Sequence, residues 1–205
     1  MSHAHRVCAY LPRVNSEPND GLLSHDHCAF VARQPVFFVA TAAEGARINL
    51  SPKGMDSFRV LDAKTVAYLD VGGSGNETNA HLGADGRITI MFCAFDNPAL
   101  ILRLYGTGSY VVAGEPGYDA FAAHFPRLAG ARQVFDIAVE SVQTSCGWGV
   151  PRMTVERPRD TLVKFHAQQD PAARLAQIAT RDRSIDGLPV QVQQVLPDFD
   201  PLPPR

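Results

Sequence analysis

The chain has 205 residues, near the upper limit for one domain and short for two. Its 45% hydrophobic and 20% charged residues are typical of a globular domain with a packed core. The formal net charge of -2 provides no overall field that would attract nucleic acid or an anionic membrane, so any anion site must be built locally.

Cysteine spacing and hydropathy limit the possible locations of the protein. No CxxC pair or zinc-type spacing occurs, no apolar run reaches membrane-spanning length, and the first residues lack the apolar core of a signal peptide. We therefore expect a cytoplasmic protein with reduced thiols that binds neither nucleic acid nor membrane. The four cysteines are Cys8, Cys28, Cys93 and Cys146.

The beginning of the chain changes from a polar segment to a helix. Residues 1–23 are mostly polar and lack periodicity, which predicts a loose N-terminal arm. Ser24 is a suitable N-cap for a short helix that ends near Arg33.

Strand patterns dominate the middle of the chain. Residues 46–51 alternate, with Ile48 and Leu50 on one face and polar side chains on the other. Gly106 and Gly108 interrupt a long strand and predict a bulge or a sharp bend. Six segments are predicted as strands: Pro35–Ala42, Ala46–Ser51, Thr65–Asp70, Arg87–Phe92, Leu100–Val112 and Arg132–Thr144.

Helices are predicted to be short and few. Two lie between strands, at Gly75–Leu82 and Gly117–Phe125, and an amphipathic one covers Asp160–Ala179 with a break at Pro171. The proline-rich end of the chain should be extended. We expect a mostly β domain over residues 24–157, a small barrel, with residues 158–205 packed on it. A Rossmann fold has no support because no GxGxxG follows a first strand.

The second predicted strand carries one candidate anion-binding row. Asn49, Ser51 and Lys53 alternate along the chain and so share a face. An amide, a hydroxyl and an ammonium group in one row could bind a phosphate or another oxyanion. The alternative is a polar strand face with a solvated lysine.

A glycine-rich turn after the third predicted strand is the second candidate. It covers Asp70–Asn79 and leads into a short helix, where free backbone N–H groups favour an anion. Ser74, Asn76 and Thr78 add side-chain donors. The alternative is a flexible surface turn with an N-cap.

The remaining candidate residues are weaker. Trp148, the only tryptophan, lies between two glycines and could cover a planar ligand or anchor a core or an interface. Cys146 is more typical of an inert residue than of a nucleophile. The histidines, including His3 and His5 in the arm, do not match a zinc site, and we expect no metal.

Together these segments resemble the pyridoxamine 5′-phosphate oxidase-like, FMN-binding split-barrel family. The similarity extends from about Phe30 to Pro189, and its strength lies in the joint order of the motifs. They are FVATA (38–42), INLSPKG (48–54), FRVLD (58–62), TVAYLD (65–70), GSGNET (73–78), RITIMFCAF (87–95), LRLYGTG (102–108), GARQVFD (130–136), QTSCGWGVP (143–151), RDTL (159–162) and SIDGLP (184–189).

The resemblance implies a six-stranded split β-barrel of the FMN-binding type with a C-terminal helix. It further implies a homodimer with two FMN sites at the subunit interface and an FMN-dependent oxidoreductase that uses a small-molecule substrate or electron donor. The residues expected to bind the cofactor are Asn49, Ser51, Lys53, Arg59, Ser74, Gly75, Asn76, Glu77, Thr78, Asn79, Met91 and Trp148.

One motif departs from the family pattern. The oxidases of the family carry an Arg-Lys pair that holds phosphate, where this chain has Asn76-Glu77-Thr78. A carboxylate near a phosphate is unfavourable unless Lys53 or Arg59 offsets it. The resemblance therefore supports flavin binding more than oxidation of pyridoxamine phosphate. The alternatives are a protein that uses deazaflavin F420 or handles haem, and a flavin-binding protein without catalysis.

Overall fold

A computed structural model describes residues 22–201 of the chain. The predicted arm, with His3, His5 and Cys8, lies almost entirely outside the described residues. Within them the protein is mostly β, with short helices. The elements in chain order are α1 (His25–Ala32), β1 (Phe37–Thr41), β2 (Asn49–Lys53), β3 (Phe58–Val60), β4 (Thr65–Val71), α2 (Glu77–Ala84), β5 (Arg87–Cys93), β6 (Leu100–Val112), α3 (Tyr118–Ala122), β7 (Ala131–Cys146), α4 (Thr161–Ala167) and α5 (Pro171–Ala179).

The predicted N-cap of α1 is confirmed. The Ser24 hydroxyl accepts a hydrogen bond from the backbone N–H of His27, and the His27 ring accepts one from the backbone N–H of Ser24, both at 3.2 Å. This reciprocal capping box satisfies two N–H groups that the helix leaves unpaired. Phe30 and Val31 on α1 are buried in the core.

The strands form one curled antiparallel sheet in the order β2-β1-β5-β6-β7-β4-β3. The described residues contain seven strands, where the sequence predicted six. The additional strand, β3, has only three residues, too few to show the alternation by which a strand is recognised in a sequence. Because β2 and β3 end the sheet at opposite sides without pairing, the sheet is a half-barrel with a split.

The predicted bend in the long strand β6 is also present. The register between β6 and β7 shifts between Tyr105 and Gly106, which marks a bulge or irregularity. A Cβ atom at Gly106 would overlap the backbone carbonyl of Ala138 on β7. Glycine therefore allows the two strands to approach closely where the sheet curls.

Aromatic rings fill the interior of the half-barrel and bridge its split. Phe37 on β1 and Phe58 on β3 contact each other with ring centroids 5.0 Å apart, although their strands do not pair. Phe92 lies 5.0 Å from Phe58, and Tyr68 stacks on Phe135 at 4.7 Å. Such pairs add to the stabilisation from burial alone. They hold the two ends of the sheet together on the core side.

The C-terminal helices pack on the same half-barrel. The predicted long helix divides at Pro171, which occupies the first turn of α5, and the Asp170 side chain caps that helix. His166 on α4 contacts the Gly72 carbonyl at 2.6 Å through Nε2. A side chain at Gly130 would overlap the His166 ring, so the docking of α4 requires glycine there.

Candidate cofactor site

A cavity of about 400 Å³ lies where the end of β2, the end of β4 and the turn before α2 meet. These segments are separated in sequence, and the curl of the sheet brings them together. The lining includes eight of the twelve predicted cofactor residues: Asn49, Ser51, Lys53, Ser74, Gly75, Asn76, Glu77 and Thr78.

Strand β2 presents its polar row to this cavity. Asn49, Ser51 and Lys53 are half-buried, whereas Ile48 and Leu50 point away and are 78% and 66% exposed. The usual orientation of a strand, with its apolar row toward the core, is thus reversed. The exposed apolar row leaves the outer face of this edge strand available for a partner.

The buried carboxylate of Asp70 connects the walls of the cavity. It accepts a hydrogen bond from Lys53 Nζ on β2 at 3.0 Å, from Arg132 Nε on β7 at 2.5 Å and from Gln133 Nε2 at 2.9 Å. Strand β2 lies at one end of the sheet, and β4 with β7 lies toward the other. The Lys53–Asp70 pair therefore crosses the split.

The charges around Asp70 determine its ionisation. Burial by itself would raise the pKa of its carboxyl group, but the charges of Arg132 and Lys53, with hydrogen bonds from Gln133 and Arg132, hold that pKa well below its usual value. Asp70 is therefore ionised at neutral pH and balances part of the positive charge of the cavity wall.

Hydroxyl and amide groups supply the other donors of the site. The Thr78 hydroxyl accepts a hydrogen bond from the Asn49 amide at 3.1 Å, which joins α2 to β2. No group within residues 22–201 hydrogen-bonds the side-chain hydroxyls of Ser51 or Ser74. The N-cap residue Asn76 makes no side-chain capping bond to α2, so the first N–H groups of that helix remain available to a ligand.

The C-terminal segment explains the unexpected carboxylate at Glu77. Both Glu77 oxygens accept a hydrogen bond from the backbone N–H of Ile185, at 3.1 and 3.2 Å. Asn79 is fully buried and bonds Gln133 at 2.7 Å and the backbone of Gln191 in both directions. Glu77 and Asn79 thus fix the end of the chain to the turn.

Four predicted cofactor residues do not line the cavity. Asn79 lies behind the wall, as described above. Arg59 donates to the His124 carbonyl at 2.8 Å and pairs with Asp56, also at 2.8 Å. Met91 is on the outer face of β5, and Trp148 is 73% exposed in the loop after β7.

Sequence reasoning did not single out the central residues of the site, Asp70 and Arg132. Asp70 was included only as the first residue of the glycine-rich turn. A carboxylate at the end of an otherwise apolar strand, TVAYLD, is the signal that could have identified it. No local signal identifies Arg132 as its partner, because the two residues meet only through the pairing of β4 with β7.

Comparison with known proteins identifies the family of the chain. A family model described as pyridoxamine 5′-phosphate oxidase matches residues 23–146, more than half of the chain. The chain belongs to the pyridoxamine 5′-phosphate oxidase family. The matched residues include every strand of the half-barrel and the turn before α2.

Two known proteins are similar to this chain, one in sequence and one in structure. The pyridoxamine 5′-phosphate oxidase family protein ustO of Aspergillus flavus is 42% identical over 178 residues, which cover 77% of this chain and 71% of that protein. The crystal structure of a histidine-to-alanine variant of HupZ from Group A Streptococcus is 25% identical with a TM-score of 0.50. That match covers 60% of this chain and 100% of the HupZ chain.

Residues 22–201 contain neither a metal-binding cluster nor a membrane-spanning helix. No cluster of three or more His, Cys, Asp or Glu side chains in this part of the chain is arranged to hold a metal ion. None of the helices in the same range has the length and apolar character needed to cross a bilayer.

We predict that Asp70→Asn destabilises the protein in a pH-dependent way. The variant should lose about 3–5 kcal/mol of unfolding free energy near pH 7, because two cations lose their buried counter-ion. The folded pKa is lowered, so the stabilisation is present above the unfolded pKa of about 4 and is lost as pH falls toward the folded pKa. Urea unfolding of both proteins between pH 3 and pH 8 measures this. An energy difference that stays constant below pH 4 would contradict the assignment.

Proposed function

We propose that this protein binds FMN in the cavity between β2 and the turn before α2, and that it acts as a homodimeric oxidoreductase. The main support is that two polar segments of the family pattern, the row on β2 and the turn before α2, line the same cavity. Its volume of about 400 Å³ falls in the range of small-molecule sites. The substrate is not specified by these residues.

The chemistry of the lining suits a flavin phosphate and its polyol chain. Ser51 and Ser74 provide hydroxyls that no described residue occupies, and the start of α2 provides backbone N–H groups. Lys53 and Arg132 provide positive charge, although Asp70 offsets part of it. Neutral hydrogen-bond donors thus provide part of the phosphate binding that an Arg-Lys pair provides in the oxidases of the family.

The protein's own contribution to a redox reaction would be binding and orientation. When bound, the isoalloxazine ring supplies hydride or electron transfer. Lys53 and Asn49 are held in place by their bonds to Asp70 and Thr78, so the polar wall is organised before a ligand arrives. Binding and orientation require no side chain of the described residues to act as a general base.

The outer face of the sheet supports the homodimer. Ile48, Leu50 and Trp148 are large apolar side chains with more than 60% of their surface exposed. The next strands add Phe38 and Met91, which are adjacent on the same outer face. Apolar patches of this kind commonly mark interfaces. A partner subunit on this face would bring Met91 and Trp148 closer to a flavin site than one subunit alone does.

The cysteines support a cytoplasmic location as part of this proposal. Cys28, Cys93 and Cys146 are free thiols, and Cys146 is exposed. An exposed free thiol is typical of a reducing compartment.

We expect the protein, purified without added cofactor, to show the visible absorption bands of a flavin. Mass spectrometry of the material released by heat should identify FMN. A colourless protein that does not bind added FMN would contradict the proposal. Release of F420 or haem instead would assign the cavity to one of those alternative cofactors.

We predict that Lys53→Ala weakens FMN binding by about 1.5–3 kcal/mol, the scale of a hydrogen bond to a charged group. Arg59→Ala is the matched control, because it removes a cation that lies outside the cavity, and it should leave the affinity unchanged. Fluorescence titration of apoprotein with FMN measures both. Ser74→Ala, which leaves the Asp70 pairs intact, should also weaken binding and separates ligand contact from loss of structure. If Lys53→Ala and Arg59→Ala changed the FMN affinity equally, Lys53 would not belong to the site.

We predict that the protein is a dimer at micromolar concentration and that Leu50→Asp weakens the dimer about a hundredfold or more, since an unpaired buried carboxylate is costly. Phe165→Asp changes an exposed apolar residue on α4 and should leave the dimer intact. Analytical ultracentrifugation measures the association. A wild-type monomer with flavin bound would contradict the interface.

A further inference from the structure

A second, smaller cavity lies behind the turn that precedes α2. Its volume is about 50 Å³, and it is enclosed by the Gly72–Asn76 turn, β7, α4, α5 and residues 191–193. It shares Gly73, Gly75, Asn76 and Arg132 with the larger cavity, so the turn separates the two spaces. One water molecule needs roughly 10–15 Å³ measured in this way, so the space can hold a small ion with several oxygen atoms.

The lining of this small cavity is strongly cationic. Three arginines and one histidine line it, and none of its described lining residues is an aspartate or a glutamate. The arginines are Arg132, Arg174 and Arg181, and the histidine is His166. Charges of one sign in a shielded space attract an ion of the opposite sign.

Arg174 differs from the other basic side chains of the lining because its guanidinium group has no partner among residues 22–201. It is only 7% exposed, yet it makes no side-chain hydrogen bond or ion pair with any residue in 22–201. Arginine is rarely this buried unless it is paired. Burial, and then the charge of Arg132, lower its pKa, which is the direction expected where no anion compensates.

The other basic side chains of the lining already have hydrogen-bond partners. Arg132 bonds Asp70 and the Gly75 carbonyl, the latter at 2.8 Å. Arg181 donates to the Gly73 carbonyl at 2.9 Å, and His166 contacts the Gly72 carbonyl at 2.6 Å. These three side chains thus hold the wall of the cavity, while Arg174 makes no such bond within residues 22–201 and is left for a ligand.

Gln193 adds an acceptor to the same cavity. Its Nε2 donates to the Val195 carbonyl at 3.0 Å, whereas its Oε1 is buried and lacks a hydrogen-bond partner within the described residues. A buried polar atom without a partner is costly and uncommon in native proteins. A ligand that accepts bonds from Arg174 and also carries a proton for Gln193 would satisfy both groups.

We propose that this cavity binds a small protonated oxyanion, with inorganic phosphate as its simplest form. Arg174 donates hydrogen bonds to its oxygens, and Gln193 accepts a hydrogen bond from its proton. A guanidinium group binds phosphate oxygens well. Phosphate near neutral pH still carries a P–OH proton, whereas sulfate does not, so the Gln193 acceptor favours phosphate. The site is separate from the flavin cavity and does not depend on the proposed flavin activity.

Titration calorimetry of the full-length protein with inorganic phosphate tests the proposal. We expect saturable binding at one site per chain and weaker binding of sulfate at equal ionic strength. Arg174→Gln should weaken phosphate binding about tenfold or more, the effect of losing a charge-assisted hydrogen bond. Arg183→Gln, an exposed arginine that lines neither cavity, should change it less than about twofold, because surface charges are screened.

Three further measurements keep the result interpretable. Phosphate should raise the melting temperature of the wild type but not that of Arg174→Gln, and Gln193→Met should reduce the preference for phosphate over sulfate. Phosphate binding should persist when the protein is saturated with FMN. Absence of phosphate binding to the wild type would overturn the proposal, as would an undiminished affinity in Arg174→Gln. Competition between FMN and phosphate would also overturn it, since the cavity would then belong to the flavin site.

Discussion

The buried carboxylate of Asp70 is the constraint on which the rest of the site depends. The half-barrel has a split, and the sheet hydrogen bonds do not connect β2 with β4. Lys53 reaches Asp70 across that gap, while Arg132 and Gln133 hold the same carboxylate from β7. A buried charge is costly unless it is paired, so the pairing of Asp70 favours the arrangement in which both ends of the sheet meet at this carboxylate. The aromatic contacts across the split close the core side of the same gap.

The reversed orientation of β2 follows from this arrangement. If its polar row faces the Asp70 network and the cavity, its apolar row must face outward, because side chains alternate along a strand. The same strand therefore builds the polar wall of the candidate site and exposes apolar side chains on its outer face, Leu50 within β2 and Ile48 directly before it. Cofactor binding and association between subunits, if both take place as proposed, use opposite faces of five residues.

The C-terminal segment holds the turn before α2 and the start of that helix through hydrogen bonds. Glu77 and Asn79 look like ligand-binding residues in the sequence, but their side chains bond the backbone at Ile185 and Gln191. His166 holds the turn from α4, at a point where Gly130 leaves space for its ring. A glycine-rich turn would otherwise be mobile. The turn is thus held on the side away from the larger cavity, and its available donors point into that cavity.

The local features of this protein can be predicted from short stretches of its sequence. The Ser24 cap, the break at Pro171, the bulge near Gly106 and most strand limits depend on residues only a few positions apart, whose preferences can be seen directly. The joint order of motifs also identified the family. Three other features arise from contacts between distant segments: Asp70 meets Lys53 and Arg132, Arg59 turns away to the His124 carbonyl, and Arg174 lies buried without a partner among residues 22–201. These outcomes depend on which distant segments the curled sheet and the C-terminal helices bring together, and no short stretch of sequence contains that information.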